Sequence, residues 1–259
     1  MIYVLHSSKT MQSKPIASSS LRSPIFISDS EKLQSYMRTL NTKLLQEIMH
    51  VSEPLALQIK NQVAKWSSET SKQSIAIDSF RGDIFSGLQA STMTEEERSY
   101  ADKHLVFLSG LYGIIRPLDG IVPYRLEMGY KLIGYSVPSL YNYWGSRIAD
   151  LLENEVILNL SSIEYSKVLT KYIKPELIYS PRFLTRDEKT GATKNIAVHS
   201  KIARGTFARW AIENKIQKPS QLKNFKELGY VYDKTLSTEY EPTFICNEFK
   251  GLGLSVRNT

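Results

Sequence analysis

The sequence predicts an α+β (mixed α/β) fold, a single compact domain over residues 1–259 with a mixed sheet flanked by helices. Three observations predict it. β-prone runs and amphipathic helical patterns alternate irregularly along the chain. The 42% hydrophobic and 23% charged fractions are those of a globular protein. No internal repeat, coiled coil or long linker divides the 259 residues, which suffice for one large domain or two small ones.

Taken in order, Ile2–Leu5 is a short β-prone run, so the N-terminus reads as a first strand and not as a signal peptide. The Ser/Lys/Pro-rich stretch through Ser23 reads as a loop. Asp29 or Ser30 starts a helix running to about Met49, with Leu33, Met37, Leu40, Leu44 and Ile48 on one face. Ser52 and Glu53-Pro54 start a second, carrying Leu55, Ile59, Val63 and Trp66 at helical spacing.

Ser74–Ile77 reads as a strand. Thr94 followed by three glutamates is a helix start with acids in the first turn. Val106–Ser109 is a buried strand or a helix end, Leu140–Leu152 a helix, and Val156–Leu160 an apolar strand. Leu177–Leu184 and Asn195–Ser200 read as strands joined by a turn at Thr190-Gly191. Lys201–Ile216 is helical, with Ala203, Phe207 and Trp210 inward and Lys201, Arg204 and Lys215 outward.

Composition narrows the function. No apolar run approaches the roughly 20 residues of a membrane helix, so no membrane partner is expected. The single cysteine, Cys246, rules out an internal disulfide and a Cys-based metal cage, which points to the cytoplasm. The four histidines show no metal-ligand spacing, and no nucleophile elbow, Walker loop or dinucleotide fingerprint occurs. No metal and no cofactor are therefore expected. From Glu164 to Lys226 there are 14 Lys/Arg against 5 Asp/Glu, a surplus of 9, while the whole chain carries +7. The basicity is regional, as on a face that meets a polyanion or one that is simply solvated.

The densest chemistry lies in Leu105–Gly129, LVFLSGLYGIIRPLDGIVPYRLEMG. Gly110 and Gly113 permit tight turns, Pro117 and Pro123 exclude one long helix, and Arg116, Asp119, Arg125 and Glu127 occupy corners. SGLYGIIRPLD and PYRLEMG resemble the DUF328/UPF0246 family of YaaA-type peroxide stress proteins. So do SKT at Ser8–Thr10, FRGDIFSGL at Phe80–Leu88, LYNYWG at Leu140–Gly145, NLSSIEYSK at Asn159–Lys167, ARG at Ala203–Gly205 and LGYVYD at Leu228–Asp233. Three positions depart from the family pattern: His6 where Ser is usual, Ile163 where an acid is common, and Ile202 where a second Lys is common.

The resemblance implies the family's own compact fold and an association with duplex-DNA binding, peroxide stress and the limiting of intracellular free iron. Nothing in the sequence resembles an iron site, so an effect on iron would be indirect. Leu105–Asp119 approximates a helix–hairpin–helix, whose glycine turn would offer backbone N–H groups to phosphates. The other reading is a tight turn packed inside the fold.

The expected DNA- or anion-binding residues are Arg81, Gly110, Gly113, Arg116, Arg125, Lys167, Lys201 and Arg204, with double-stranded DNA or another phosphate-bearing ligand as partner. The rival class is an enzyme acting on a nucleotide, nucleobase or other small anion in the same cleft, with Glu127, Glu164, Lys9 and Asp83 as catalytic candidates. A third is a protein-binding scaffold. Convergence of the charged residues on one cleft is the sharpest expectation.

Overall fold

The computed structural model describes residues 1–15, 21–69 and 72–255. Part of the predicted N-terminal loop, residues 16–20, lies outside the described residues. β1 (Ile2–His6) and β2 (Thr10–Met11) lead into α1 (Ile27–Thr39), α2 (Thr42–Met49) and α3 (Glu53–Lys65). Next come β3 (Ser74–Ile75), α4 (Ala76–Ser79), β4 (Phe80–Arg81), α5 (Asp83–Leu88) and α6 (Glu95–His104). β5 (Leu105–Ser109), β6 (Gly113–Ile115), β7 (Gly120–Ile121), α7 (Leu140–Trp144), α8 (Arg147–Asp150), β8 (Ile157–Asn159) and α9 (Ile163–Thr170) occupy the middle. β9 (Ile178–Tyr179), β10 (Arg182–Arg186), β11 (Thr193–Lys194), α10 (Ala197–Glu213), β12 (Tyr230–Tyr232) and β13 (Thr243–Cys246) complete the chain.

These elements form a mixed α/β protein with a five-stranded sheet, β6-β5-β1-β8-β9, and a four-stranded one, β11-β10-β13-β12. β1 is central and runs parallel to both β5 and β8. Its Tyr3, Val4 and Leu5 are fully buried, as expected of a parallel strand covered on both faces. One hydrophobic core runs through both sheets and the helices around them.

Six expectations are corrected. The predicted helix from Asp29/Ser30 to Met49 is two helices. Leu40 is extended, and the Asn41 side chain accepts the Leu44 N–H at 2.9 Å to cap α2, while the apolar spacing runs through the break. Gly145, at φ +54°, likewise divides Leu140–Leu152 into α7 and α8. Only Ser74–Ile75 of the predicted Ser74–Ile77 strand pairs, and Ala76 begins a helical turn.

Leu177–Leu184 is split between the two sheets. Pro181, which has no N–H to donate, stands between β9 and β10. Asn195–Ser200 is not a strand: β11 ends at Lys194, paired with Thr185, and α10 starts at Ala197.

The sixth correction bears on function. Leu105–Asp119 is not a helix–hairpin–helix, because β5 and β6 form an antiparallel hairpin in which Ser109 faces Gly113. Every residue of Leu105–Ile115 is buried, so no backbone N–H there lies on a surface that a phosphate could meet. Gly113 supplies φ +69°, and a Cβ on Gly110 would stand 2.3 Å from the Leu126 carbonyl oxygen.

The contact that positions the cleft is the crossing of α5 with α10. A Cβ on Gly205 would lie 1.8 Å from the Ile84 carbonyl oxygen, and one on Gly87 2.2 Å from that of Ile202. Both obstacles are backbone, which no side-chain rotation relieves. Gly205→Ala is therefore expected to destabilise the fold by about 1–3 kcal/mol or more. Gly253→Ala, with nothing within 4 Å of its Cβ, should stay within about 0.5 kcal/mol of the parent. Urea midpoints of the two variants check this, and equal midpoints would remove the crossing from the argument.

Candidate functional site

From β1 the chain builds outward in both directions, to β5 and β6 on one side and to β8 and β9 on the other. The carboxyl end of β1 is thus a switch point, the place where open α/β sheets leave a crevice. A cleft of about 420 Å³ lies there, within the size range of small-molecule sites. Five segments line it: His6–Lys9 from the last residue of β1 onward, Arg81–Phe85 at the start of α5, Glu127, Ser162–Tyr165 at the start of α9, and Lys201 on α10.

The loop after β1 is tied to α5. Thr10 pairs with Arg81, and the Ser8 hydroxyl donates to the Arg81 carbonyl. Gly82, at φ +114°, turns the chain into α5, where the buried Asp83 accepts from the Ser255 hydroxyl at 3.2 Å. The Arg81 guanidinium is occupied. It donates to the Gln12 side chain and to the carbonyls of Asp78 at 3.0 Å and Phe80 at 2.8 Å, so it forms wall more than hook.

The two glutamates differ in what they already hold. Glu127 is buried at 5% exposure, and its carboxylate takes the Lys9 ammonium, the Tyr130 hydroxyl and, at 3.5 Å, the Arg125 guanidinium. The Glu164 carboxylate accepts only the Gly129 N–H, at 2.9 Å on Oε1, among the described residues. Both also line a second cavity of about 410 Å³ that reaches His50 and Lys131.

His6 stands at the carboxyl end of β1. Its Nδ1 accepts the Ser162 N–H at 3.2 Å, and its ring stacks on Tyr165 with centroids 4.7 Å apart. Burial, and then the charges of Arg204 and Lys201, push its pKa down to about 3. Burial also pushes the Tyr165 phenol well up and that of Tyr124 to about 12, so both stay protonated. The nearby Ser7 hydroxyl opposes that rise at both phenols, and Tyr124 meets the Ser109 hydroxyl at 2.6 Å. The floor is a neutral hydroxyl network.

Of the sequence candidates, Lys9, Arg81, Asp83, Glu127, Glu164 and Lys201 line the cleft. Arg204 is not turned outward as expected. It is partly buried, and its charge reaches His6. Arg125 lines an adjoining groove that it shares with Lys9. Lys167 sits 5.8 Å over the Tyr141 ring on a separate groove.

Arg116 is exposed and does not line the cleft, while Asp119 serves a structural knot. It accepts the Arg116 N–H at 2.7 Å and pairs with Arg22, which also holds Asp102 at 2.8 Å. Gly110 and Gly113 are interior. Sequence reasoning did not single out Ser7, Ser8 or Ser162, which are common loop residues. His6 was noticed only as a departure from a pattern.

Fold and site thus define a mixed α/β protein whose charged side chains converge on a cleft at a strand switch point. The model of the family described as peroxide stress protein YaaA matches residues 1–236. A UPF0246 protein of Salinispora tropica is 43% identical over 258 residues, covering 99% of this chain and 98% of the relative. UPF0246 proteins of Neisseria gonorrhoeae and of Janthinobacterium sp. are each 37% identical, covering 96% and 92% of this chain and 99% and 96% of the relatives. The chain belongs to the YaaA peroxide stress protein family, UPF0246. Among the described residues no helix is long and apolar enough to cross a membrane, and no group of three or more His, Cys, Asp or Glu could hold a metal ion.

The His6 environment has a measurable consequence. Below pH 6.5 the unfolded chain protonates this imidazole while the native state resists until about pH 3. The unfolded state then binds the extra proton, so stability falls with pH by up to about 1.4 kcal/mol per unit from this group. Urea unfolding between pH 7 and pH 4 should show a shallower loss for His6→Phe than for the parent. Parallel losses would place the imidazole in an environment where it titrates normally.

Proposed function

We propose that this member of the YaaA peroxide stress family binds a small phosphate-bearing ligand of the nucleotide class in the cleft after β1. The observation that carries the reading is the convergence of Lys9, Asp83, Glu127, Glu164 and Lys201 from separate segments on one cleft of about 420 Å³. Lys9 and Lys201 supply the charge. Lys201 meets no carboxylate within 4 Å among the described residues, so its ammonium is the cation more available to an incoming anion. In the enzymatic form of this reading, Glu164 is the general base, because only one of its oxygens is engaged. Glu127, already committed to Lys9 and Tyr130, shapes the wall instead.

Calorimetric titration of the full chain with AMP, ATP and inorganic phosphate tests the proposal. AMP should bind, and Lys201→Ala should weaken it about tenfold, since a charge-assisted hydrogen bond contributes about 1.5–3 kcal/mol. Lys167→Ala, on a different groove, should leave binding as it was. No binding by any of the three at millimolar concentration would sink the reading.

A second reading is duplex-DNA binding in the peroxide response, in line with the family's association with limiting free iron. What favours it is the surplus of 14 Lys/Arg over 5 Asp/Glu between Glu164 and Lys226, a segment that includes Lys201 at the cleft. Arg204 and Lys167 belong to the same segment. With the glycine hairpin buried, such binding rests on the basic face alone. Fluorescence anisotropy of a labelled duplex should then lose affinity linearly on a log–log salt plot. Affinity indifferent to salt would exclude it, and displacement of the duplex by AMP would place both ligands on one surface.

A further inference from the structure

We propose that His6 is an uncharged hydrogen-bond donor that, together with Lys201, receives the phosphoryl group of the cleft's ligand and so sets the ligand preference of this chain. The proposal rests on the ligand reading above. Three observations carry it.

The first is the fixed tautomer. A neutral imidazole has one donor and one acceptor nitrogen, and the Ser162 N–H occupies the Nδ1 lone pair at 3.2 Å. The proton therefore sits on Nε2. The second is that Nε2 has no hydrogen-bond partner among the described residues, although the ring lines the cleft and is partly exposed. A polar donor left open on a cleft wall is a group waiting for an acceptor. The third is placement. His6 ends the central strand at the switch point, its ring held by the Tyr165 stack at 4.7 Å, so the donor direction is set before any ligand arrives.

The charged and titratable neighbours explain why the donor is neutral and why its acceptor is anionic. Arg204 and Lys201, both on α10, act on the imidazole electrostatically and oppose a second proton. The facing Tyr165 keeps its phenolic proton. Across the cleft the carboxylates of Glu164 and Glu127 act on the stacked Tyr165, while on the His6 side the two cations favour a phosphoryl oxygen over a neutral carbonyl. An imidazole held by its stack on Tyr165 cannot rotate its donor freely, so it selects among phosphate-bearing ligands by the direction of that donor.

The test combines a wild-type measurement with a variant. In long-range ¹H–¹⁵N spectra of the histidine-labelled full chain, His6 should show the Nε2-protonated tautomer, unchanged from pH 5 to 8. Adding AMP or inorganic phosphate should shift its Nε2 resonance, whereas adenosine should not. His6→Phe keeps the stack and removes the donor. It should weaken AMP binding about tenfold and leave adenosine unaffected.

An imidazole that titrates in this range, or an Nε2 resonance indifferent to AMP that does bind, would overturn the proposal while the cleft reading survives. Equal losses for AMP and adenosine in His6→Phe would refute the phosphoryl assignment. If AMP and phosphate bind nowhere, the cleft reading falls and this proposal with it. Should His6→Phe not fold, the wild-type titration decides alone.

Discussion

The close crossing of α5 and α10 is the constraint on which the cleft depends. Gly87 and Gly205 let the two helices approach until backbone meets backbone, with no room for a methyl group on either side. That approach brings Asp83, at the start of α5, and Lys201, on the first half of α10, to the same opening. It also sets Arg204 where its charge reaches His6. Any wider crossing would carry Lys201 away from the β1 loop, and the site would lose its freest cation. The six residues of α5 cannot hold this geometry by helix propensity, so tertiary contact with α10 must do so.

A second dependence runs through charge balance. The cleft has acids and bases in similar number, yet they are not equivalent. Glu127 is neutralised locally by Lys9 and further bonded to Tyr130, and its burial is tolerable only because those partners are present. Arg81 spends its donors on Gln12 and on backbone carbonyls. What remains for a ligand is Lys201, one Glu164 oxygen and the His6 edge. Local pairing, and not the count of charges, decides which groups can act.

Much of the site was legible because polar residues interrupted apolar blocks at predicted element ends. Lys9, Arg81, Asp83, Glu127, Glu164 and Lys201 were found this way, and β1, the α6 start and α10 came from periodicity and capping. The failures have physical causes. Apolar period runs through a break when both helices bury the same side, so Asn41 was overlooked as a cap. Pro181 separates two strands of different sheets, a distinction that lies in tertiary pairing alone. Arg116 and Asp119 have the same local signature as the cleft residues, but Arg22, almost a hundred positions away, draws Asp119 into a knot. Gly110 was open to two readings, a phosphate-facing turn or a packed one, and its use is close packing, as it is at Gly205.

The regional basicity takes on a different meaning once the hairpin is interior. In the proposed function the surplus between Glu164 and Lys226 need not touch the ligand to matter. Of that segment, Lys201 lines the cleft and the charge of Arg204 reaches His6, while Lys167 lies on a separate groove. Within a Debye length, roughly 8–10 Å at physiological salt, such a field concentrates anions at the opening. A longer polyanion would feel the whole face, whereas a mononucleotide would feel the portion nearest the cleft. The same arrangement therefore serves both readings through one physical term. What separates them is the buried end of the cleft, where His6, Tyr165 and Ser7 form a neutral, hydrogen-bonding floor that a small ligand could fill and a duplex, too wide to enter, would leave empty.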